Sequence, residues 1–450
     1  MPATANLAIV GGGMLGMALA KRLTAAGHRV TLFESGGASG GLASADPIGP
    51  FVWDRFYHVI LSSDRELLDL VDELGLSDRL RWQRSRTGFF VGDELVPLTT
   101  VVDFLRFPPI NLIDKARLAA TILWASRIRD GRALESVPVS EWLVRWSGQR
   151  VFDRLWLPLL KAKLGDNYRT ASASFIWAII ARMYAARRSG LKQELFGYVV
   201  GGYAAILDRL RQSLASSGVT TRTGADVVEV AEVDGGVSIR TATGSTETFD
   251  RAILTVGCQS VAAICPQLSA PERIRLSGVE YQGVICTSVL LRRPLGGYYI
   301  TNLADSRLAI TAIIEMTALV DPATFGGMSL VYLPWYLPAA DPRWSLDDDA
   351  IVARSVRDLT LVYPNLTADD IVSVRVARAR QVLALSTLEY SERSLPATTT
   401  SLPRVHLVNS AQIVNGTLNV NETLMLARQK AAELLPTLAG TAATPLASTR

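Results

Sequence analysis

The stretch from residue 7 to residue 41 constrains the fold of this chain more than any other part. Leu7–Val10 has an apolar strand pattern, and Gly11–Gly16 follows it with the spacing G-x-G-x-x-G. A helical pattern runs from Met17 to Leu23, and a second strand pattern, Arg29–Phe33, ends on the acid Glu34. This order of strand, glycine turn, helix, strand and acid predicts a dinucleotide-binding βαβ unit.

Each residue type in this unit has its own physical reason. Gly11 allows the tight turn out of the strand, Gly13 lets backbone approach a pyrophosphate, and Gly16 lets the helix pack closely on the strand. The pyrophosphate is expected at the helix N-terminus. There the free N–H groups of the first turn, including those of Met14 and Leu15, favour an anion.

The acid at the end of the second strand indicates which dinucleotide binds. Glu34 is expected to accept hydrogen bonds from both ribose hydroxyls, and a carboxylate there would repel a 2′-phosphate, which argues against NADP. The competing interpretation is a secretory signal peptide, because residues 7–20 are apolar and small. That stretch lacks a basic start and contains four glycines, so the dinucleotide unit is favoured.

A second glycine pair, Gly40-Gly41, closes the Ser/Gly-rich turn after Glu34. With this pair in place, the chain resembles the FAD-dependent amine oxidoreductase superfamily, which includes monoamine oxidases, protoporphyrinogen oxidases, phytoene desaturases and UDP-galactopyranose mutases. The matching positions are Gly11, Gly13, Gly16, Leu23, Gly27, Val30, Glu34, Gly40 and Gly41. The resemblance implies FAD as the cofactor.

Three further segments resemble a bacterial, protoporphyrinogen-oxidase-like branch of this superfamily. They are Trp156–Asn167, Glu315-Met316-Thr317 and Tyr332-Leu333-Pro334. The resemblance implies an α/β fold, in which a glutathione-reductase-type, Rossmann-like FAD domain is interleaved with an α+β substrate domain. The expected division is residues 1–60, 196–265 and 398–440 for the FAD domain, 61–195 for a helical cap, 266–397 for the substrate sheet, and 441–450 for a disordered tail.

The resemblance also implies FAD contacts beyond the first glycine turn. In the loop after the second strand they are Ser35, Gly40, Gly41, Leu42 and Ala43. At Leu42-Ala43-Ser44 the chain lacks the arginine that mutases and many desaturases carry, so this loop differs from theirs.

Two later segments are expected to complete the FAD site. Val227 and Val228 correspond to the strand that contacts adenine through its backbone. Ser410 stands in Asn409-Ser410 where the superfamily has Gly-Asp, so it would bind a ribityl hydroxyl or phosphate oxygen more weakly than a carboxylate. The helix that begins near Val420 and Asn421 is expected to direct N–H groups at the flavin O2.

Composition excludes several other classes of protein. The 450 residues are 49% hydrophobic and 20% charged, with a mean hydropathy of +0.22, which indicates a well-buried globular chain. The net charge is +4, and no basic block interleaves with aromatic residues, so nucleic acid is not an expected partner. The three histidines and three cysteines lack metal-site spacing, so no metal is expected.

The same numbers bear on the compartment and on membranes. An odd number of cysteines without a pattern indicates a reducing compartment, and no apolar run reaches the length of a spanning helix, so a cytoplasmic location is expected. Positive hydropathy and helices such as Ala119–Trp124, with arginines nearby, are compatible with peripheral membrane contact. The oligomeric state is left open.

Four side chains are candidates for catalysis. His58 ends the run Asp54–His58, where the superfamily often has Asp-x-Gly-x-His, so it is expected beside the flavin, where it can shuttle a proton; the alternative is a satisfied histidine in a strand. Arg55 is expected to bind an anionic substrate group, or else to be a solvated loop arginine. Lys163, in an apolar helix, is expected to aid proton transfer, or else to snorkel to solvent. Glu315 is expected in the same flavin-facing pocket.

The predicted function is oxidation or desaturation of an apolar, lipid-linked or sugar-linked small molecule, with hydride transfer to flavin N5. The protein's part in such chemistry is to bind, orient and tune the cofactor. One alternative is a redox-neutral flavin enzyme, such as a sugar-nucleotide mutase similar to UDP-galactopyranose mutase. A second alternative is a flavin-binding scaffold without turnover. Lys163, Glu315 and His58 together in one pocket would argue against that scaffold.

Overall fold

The computed structural model describes residues 4–187, 195–414 and 416–438. The strands are β1 Asn6–Val10, β2 Arg29–Phe33, β3 Ala45–Ile48, β4 Phe51–Asp54, β5 Ile60–Leu61, β6 Leu80–Arg84, β7 Thr87–Val91, β8 Glu94–Pro97, β9 Leu195–Val199, β10 Thr220–Arg222, β11 Val227–Val233, β12 Gly236–Thr241, β13 Thr246–Phe249, β14 Arg251–Leu254, β15 Tyr281–Leu291, β16 Ile300–Leu303, β17 Ala312–Glu315, β18 Ser329–Pro338, β19 Ile371–Ala384 and β20 Val405–Leu407.

The helices are α1 Met14–Ala25, α2 Arg65–Glu73, α3 Val101–Arg106, α4 Leu112–Ala125, α5 Val139–Ser147, α6 Gln149–Val151, α7 Leu157–Leu164, α8 Ala173–Arg187, α9 Gly202–Ser216, α10 Cys258–Ile264, α11 Ala270–Ser277, α12 Asp348–Val362, α13 Tyr390–Arg393 and α14 Val420–Leu438. A π-helical segment, Phe152–Trp156, joins α6 to α7.

The first sheet is parallel and has the strand order β10-β2-β1-β14-β20. Its central strand β1 is covered on both faces: Leu7 and Ile9 pack with α1 and α14, whereas Ala8 and Val10 pack toward α10 and the β11–β13 hairpins. Burial on both faces explains why short, almost wholly apolar strands occur here. The arrangement confirms the predicted Rossmann-like α/β class.

This sheet takes its strands from three separate parts of the chain, within residues 6–33, 220–254 and 405–407. The intervening segments form the second sheet and the helical region, so the two architectures are interleaved. The division at residues 60, 195, 265 and 397 stays a prediction, and the tail predicted over residues 441–450 lies outside the described residues.

The second sheet has the order β19-β15-β18-β17-β16-β7-β8 and is antiparallel except between β16 and β7. Side chains alternate between its two faces. One face, with Val331 and Trp335, packs against α12, and the other, with Cys286 and Tyr332, packs against the β3–β4 hairpin. We call the second of these the inner face, because the hairpin joins it to the parallel sheet.

The helical region between β8 and β9 has its own apolar core, which contains Trp142, Trp156 and Trp177. Helix α4 of this region includes Ala119–Trp124, the stretch for which peripheral membrane contact was considered from the sequence. There Trp124 stacks on Trp146 with ring centroids 4.0 Å apart, so much of this stretch faces other protein. Among the described residues, no helix combines the length and apolar character needed to cross a bilayer.

Candidate active site

The first glycine turn brings α1 directly against β1. Gly11 has φ +111°, a left-handed conformation that favours glycine, and its N–H donates to the carbonyl oxygen of Phe33 at 2.9 Å. A Cβ atom on Gly16 would lie only 1.9 Å from the carbonyl oxygen of Gly11. Helix α1 begins at Met14, three residues before the predicted start, because the glycine turn is shorter than its sequence pattern indicates.

The two glycine pairs then pack backbone against backbone. The N–H of Gly40 donates to the carbonyl oxygen of Gly12 at 2.8 Å, and a Cβ on Gly41 would meet the Cα of Gly13 at 3.1 Å. No side chain caps the N-terminus of α1, so its first-turn N–H groups, including those of Met14 and Leu15, are left for an external acceptor. This cradle fits the pyrophosphate of a dinucleotide.

The ribose position predicted at Glu34 is held by backbone. The N–H groups of Gly12 and Gly36 donate to the two carboxylate oxygens of Glu34 at 3.0 and 2.7 Å. Beside them, the buried hydroxyl of Ser39 lacks a hydrogen-bond partner among the described residues, and Arg211 fixes the Ser39 carbonyl. An ordered carboxylate next to an unpartnered buried hydroxyl suits a cofactor ribose.

The predicted adenine edge lies next to Glu34. The N–H of Ala225 donates to the Glu34 carbonyl at 2.9 Å, and β11 begins two residues later. Register shifts between Val227 and Glu229, so Val228 bulges outward and is exposed, whereas Val227 is buried. Ser35 is exposed in the adjoining loop. These positions are compatible with the predicted FAD contacts, which stay predictions.

The predicted C-terminal contacts lie beside side chains that make structural hydrogen bonds, and these contacts stay predictions. Asn409 is buried and bonds the Val256 carbonyl at 2.9 Å, so it takes a structural role beside the half-buried Ser410. Helix α14 begins at Val420, but the side chain of Asn421 accepts from the Leu67 N–H at 3.3 Å. The N–H of Glu422 is capped by Asn419 Oδ1 at 3.0 Å, so the predicted flavin contact would rest on the N–H groups of Val420 and Asn421.

Leu42 connects the cradle to the inner face of the second sheet. It follows Gly41 and packs against the apolar cluster that contains Phe56, Tyr57, Tyr332 and Tyr336, whereas Ala43 is buried in the FAD-domain core. A cofactor that runs from the pyrophosphate cradle past Leu42 would therefore reach these aromatic side chains.

His58 packs on the FAD-domain side of its segment. Its ring lies 4.6 Å from that of Tyr203, centroid to centroid, and its Nδ1 lies 3.9 Å from a carboxylate oxygen of Asp54 without a hydrogen bond. Burial lowers the pKa of His58 to about 4 and raises that of Asp54 to about 7. His58 is therefore neutral at physiological pH, with an unpaired nitrogen that can accept a proton.

Arg55 is already paired. Its guanidinium donates to both carboxylate oxygens of Asp46, at 2.7 and 3.0 Å, and this hydrogen bonding raises the pKa of Arg55 and lowers that of Asp46. A bidentate arginine–carboxylate pair holds its geometry. The predicted binding of a substrate anion by Arg55 would require this pair to open.

Lys163 lies over an aromatic ring of the inner face. Its Nζ is 3.6 Å from the centroid of Tyr336, whose hydroxyl is 2.6 Å from the hydroxyl of Tyr57. A cation over an aromatic face is stabilised in its charged form, whereas a proton acceptor must be neutral. The geometry therefore favours Lys163 as a fixed positive charge over the proton-transfer role predicted for it.

Glu315 is separated from the other candidates. On β17 it pairs with Val331, so it lies on the α12 face, opposite the inner face that carries Tyr332. Its buried carboxylate accepts the N–H groups of residues 295, 296 and 297 at 2.8, 3.3 and 3.0 Å and the Ser329 hydroxyl at 3.1 Å. The expectation of Glu315 in the same pocket as Lys163 and His58 is therefore corrected: it anchors a turn.

Sequence reasoning missed the groups that position the segment around His58. The hydroxyl of Tyr332 donates to the Asp54 carbonyl at 2.7 Å, and Arg375 on β19 donates to the same carbonyl at 2.8 Å. The alternation of Tyr332 and Tyr336 along one strand was the available signal for shared-face residues. Arg375 gave no signal, because the carbonyl oxygens that it binds lie more than 300 positions away in the chain.

Together, the fold and the glycine cradle define a flavin dinucleotide-binding oxidoreductase architecture. The profile of the family described as flavin containing amine oxidoreductase matches residues 15–435. The chain therefore belongs to that family: it is an FAD-dependent oxidoreductase, as its motifs predicted.

Named relatives agree with this assignment. Over 394 residues the chain is 26% identical to coproporphyrinogen III oxidase of Mycobacterium tuberculosis (strain ATCC 25618 / H37Rv), covering 82% of this chain and 84% of that protein. Over 167 residues it is 30% identical to protoporphyrinogen oxidase 2 of Arabidopsis thaliana, covering 34% of this chain but only 32% of the plant protein, about a third of its length. The solved structure of reduced UDP-galactopyranose mutase has a TM-score of 0.74 at 16% identity, with 97% and 98% coverage, which shows a shared fold.

Glu34 provides a direct test of the cradle. We expect purified protein to contain FAD, and Glu34→Ala to weaken its retention by about tenfold or more, because the ribose loses a charged acceptor. Equilibrium dialysis followed by quantitation of released FAD measures this. Asp234→Ala, which alters an exposed acid in a hairpin turn of the same region, serves as control. Unchanged FAD retention in Glu34→Ala would contradict the assignment.

A variant of Glu315 distinguishes a structural role of this residue from a catalytic one. Glu315→Gln replaces an acceptor oxygen by a donor, so we expect the free energy of unfolding to fall by about 2 kcal/mol or more, with turnover per bound FAD preserved. Chemical denaturation and FAD-normalised rates measure the two effects, and Glu392→Gln at an exposed site is the control. Lost turnover at unchanged stability would restore the catalytic interpretation.

Proposed function

We propose that this enzyme oxidises or desaturates an apolar small molecule that binds against the inner face of the second sheet. The observation that carries the proposal is the aromatic cluster there, which consists of half-buried Tyr57 and Tyr336 and buried Tyr299 and Tyr332, next to the loop that leaves the FAD cradle through Leu42. Burial raises the pKa of each of these tyrosines, so the surface is uncharged at neutral pH. Such a surface suits an apolar or ring-shaped substrate.

Bound FAD supplies a hydride acceptor at N5 of its isoalloxazine ring. The part of His58 in this proposal is to take or share a proton as the substrate is oxidised, because it is neutral and its Nδ1 is unpaired. Tyr332 and Arg375 hold the segment that carries His58 in place through the Asp54 carbonyl.

The panel of substrates follows from the family and its relatives. Coproporphyrinogen III and protoporphyrinogen, named in the relatives, are the first compounds to test, with loss of the oxidised flavin absorbance under anaerobic conditions as the readout. UDP-galactopyranose, with and without prior reduction by dithionite, tests the redox-neutral alternative. Turnover that requires dithionite would overturn the oxidation proposal.

His58 is tested by its variant and by pH. We expect His58→Ala to retain FAD but to slow flavin reduction by about two orders of magnitude, the usual contribution of an acid–base group. The required form is neutral His58, which is lost only as the pH falls through the pKa of about 4. The His58-dependent rate should thus be constant from neutral pH down to moderately acid pH and then decline.

The control for His58 lies at the other end of the parallel sheet. His28 precedes β2, and its Nδ1 accepts the N–H of Ala5, so His28→Asn changes a histidine without approaching the cradle. It should leave the rate of flavin reduction unchanged. An acid limb centred at the ordinary histidine pKa of 6.5, or full activity in His58→Ala, would contradict the proposed role.

We further propose peripheral contact with an anionic membrane through an apolar knob. The knob consists of five exposed side chains on α3 and on the first turn of α4: Val101, Val102, Leu105, Leu112 and Ile113. Leu112 and Ile113 are 69% and 73% exposed, which is unusual for side chains clustered on a soluble surface. The site thus lies at the start of α4 and not at Ala119–Trp124.

Charge around the knob favours lipid headgroups. Arg106 ends α3, and exposed Arg154 bonds the Pro109 carbonyl at 3.1 Å beside the knob. The acids of this segment are engaged: Asp103 accepts the N–H of Thr100 at 2.8 Å, and Asp114 is buried. Apolar side chains beside exposed arginines match a bilayer that carries anionic lipids.

Flotation with vesicles tests the knob. We expect wild-type protein to bind phosphatidylglycerol-containing vesicles at low salt, and the double variant Leu112→Asp/Ile113→Asp to bind at least about tenfold more weakly. Ile274→Asp is the matched control, because Ile274 on α11 is also 73% exposed. Equal binding by the double variant, or self-association without vesicles that the variant abolishes, would contradict a membrane partner.

A further inference from the structure

Lys163 carries a positive charge that the described part of the chain leaves uncompensated. It is half-buried, and its Nζ lies 3.6 Å from the centroid of the Tyr336 ring. The groups around that ring are the hydroxyl of Tyr57 and the thiol of Cys286. Burial raises the pKa of Cys286 to about 12 and raises that of Tyr57 well above its ordinary value, so both are neutral. A half-buried cation among neutral groups favours an anionic ligand.

The helix dipole does not account for this lysine. Cations are favoured in the last turn of a helix, and α7 has two there, Lys161 and Lys163. Lys161 is exposed, so its ammonium group interacts favourably with the helix dipole while it stays hydrated. Lys163 instead lies inward over the Tyr336 ring, so the helix dipole alone does not explain its position.

An unpartnered amide lies on the same face. Gln282 is 1% exposed, its Oε1 accepts from Asn167 Nδ2 at 3.4 Å, and its Nε2 has no hydrogen-bond partner among the residues described. Asn167 follows Lys163 by four positions, so it brings Gln282 beside the C-terminal end of α7. In this placement the free atom of Gln282 is the nitrogen of its N–H₂ donor.

Strand register places this amide on the inner face. Gln282 is two residues before Val284 on β15, and Val284 pairs with Tyr336 on β18. Residues two apart on a strand share a face, about 7 Å from each other. Gly283 between them faces Trp344 on the α12 side, where a Cβ would meet the indole at 2.5 Å. The side chains of Gln282 and Tyr336 therefore lie on the same, inner face of the sheet.

We propose that Lys163 and Gln282 form a subsite that binds the carboxylate of an otherwise apolar substrate. The inference rests on the proposed function, because the substrate must lie on the inner face. An ammonium and a free amide N–H₂ offer donors to the two oxygens of one carboxylate, and charge-assisted bonds of this kind are the strong ones. The surrounding tyrosines would then contact the apolar part of the same molecule.

Binding of simple probes tests the subsite without turnover. FAD-loaded protein is titrated with 4-phenylbutyrate and, separately, with its neutral amide, and the change in flavin absorbance gives each dissociation constant. We expect the carboxylate to bind at least about tenfold more tightly than the amide, the size of a charged hydrogen bond. Lys163→Met should abolish this preference, and Lys161→Met, two positions away on α7, should retain it.

A second variant keeps the test decisive if Lys163→Met loses FAD or fails to fold. Gln282→Leu removes the amide donor and should reduce the carboxylate preference several-fold. Equal affinities of the two probes, failure of both to bind, or an unchanged preference in both variants would overturn the subsite. Because no redox step is measured, a carboxylate preference without substrate oxidation would leave the subsite standing and reject the proposed function instead.

Discussion

The structure depends on contact between backbones that no side chain separates. Gly16 lies against Gly11, and Gly41 lies against Gly13, at distances that leave no room for a Cβ. The hydroxyl of Thr255 completes the contact from β14, since it donates to the carbonyl of Gly11 at 2.9 Å. These approaches fix where α1 starts, and hence where its uncapped N–H groups lie relative to the carboxyl ends of the parallel strands, which is where ligands bind in such sheets.

One half-buried arginine, Arg375, extends this order to the second sheet. The Arg375 guanidinium donates to the carbonyl oxygens of Asp46, Trp53 and Asp54 and to the Ser288 hydroxyl. It thereby ties the β3–β4 hairpin, which follows the second glycine pair, to strands β15 and β19. These acceptors satisfy the two terminal nitrogens of the guanidinium without a carboxylate, whereas its Nε has no hydrogen-bond partner among the described residues. The hairpin in turn determines where Tyr57 and His58 lie.

Local patterns predicted local structure well and long-range contacts poorly. The limits of β2 agree with the pattern at Arg29–Phe33, and β1 begins one residue before the pattern at Leu7–Val10, because apolar runs bounded by polar turns are sufficient to define buried strands. The sequence analysis assigned nothing to β19, an edge strand whose repeated arginines obscure its alternation. Which of those arginines points inward depends on carbonyls of a distant hairpin, and no local pattern contains that information.

The same distinction explains the outcome for the candidate site. The FAD cradle is almost wholly local, so spacing alone located Gly11, Gly13, Gly16 and Glu34. The substrate side is assembled from β15, β18, α7 and the segment after β4, and a one-residue difference in strand phase decides which face a side chain joins. The alternation of side chains along β17 places Glu315 on the α12 face, whereas its neighbour Ile314 belongs to the cluster on the inner face.

Charge balance on the inner face follows from these placements. Burial raises the pKa of Asp54 to about 7, so that carboxyl is partly protonated near neutrality, and Asp46 is neutralised by its pair with Arg55. The cations Lys163 and Arg375 have no carboxylate partner of their own in the described structure. Positive charge therefore exceeds negative charge around the tyrosine surface. In a region of low dielectric constant an excess of this kind favours anionic groups and raises the cost of binding a cationic one.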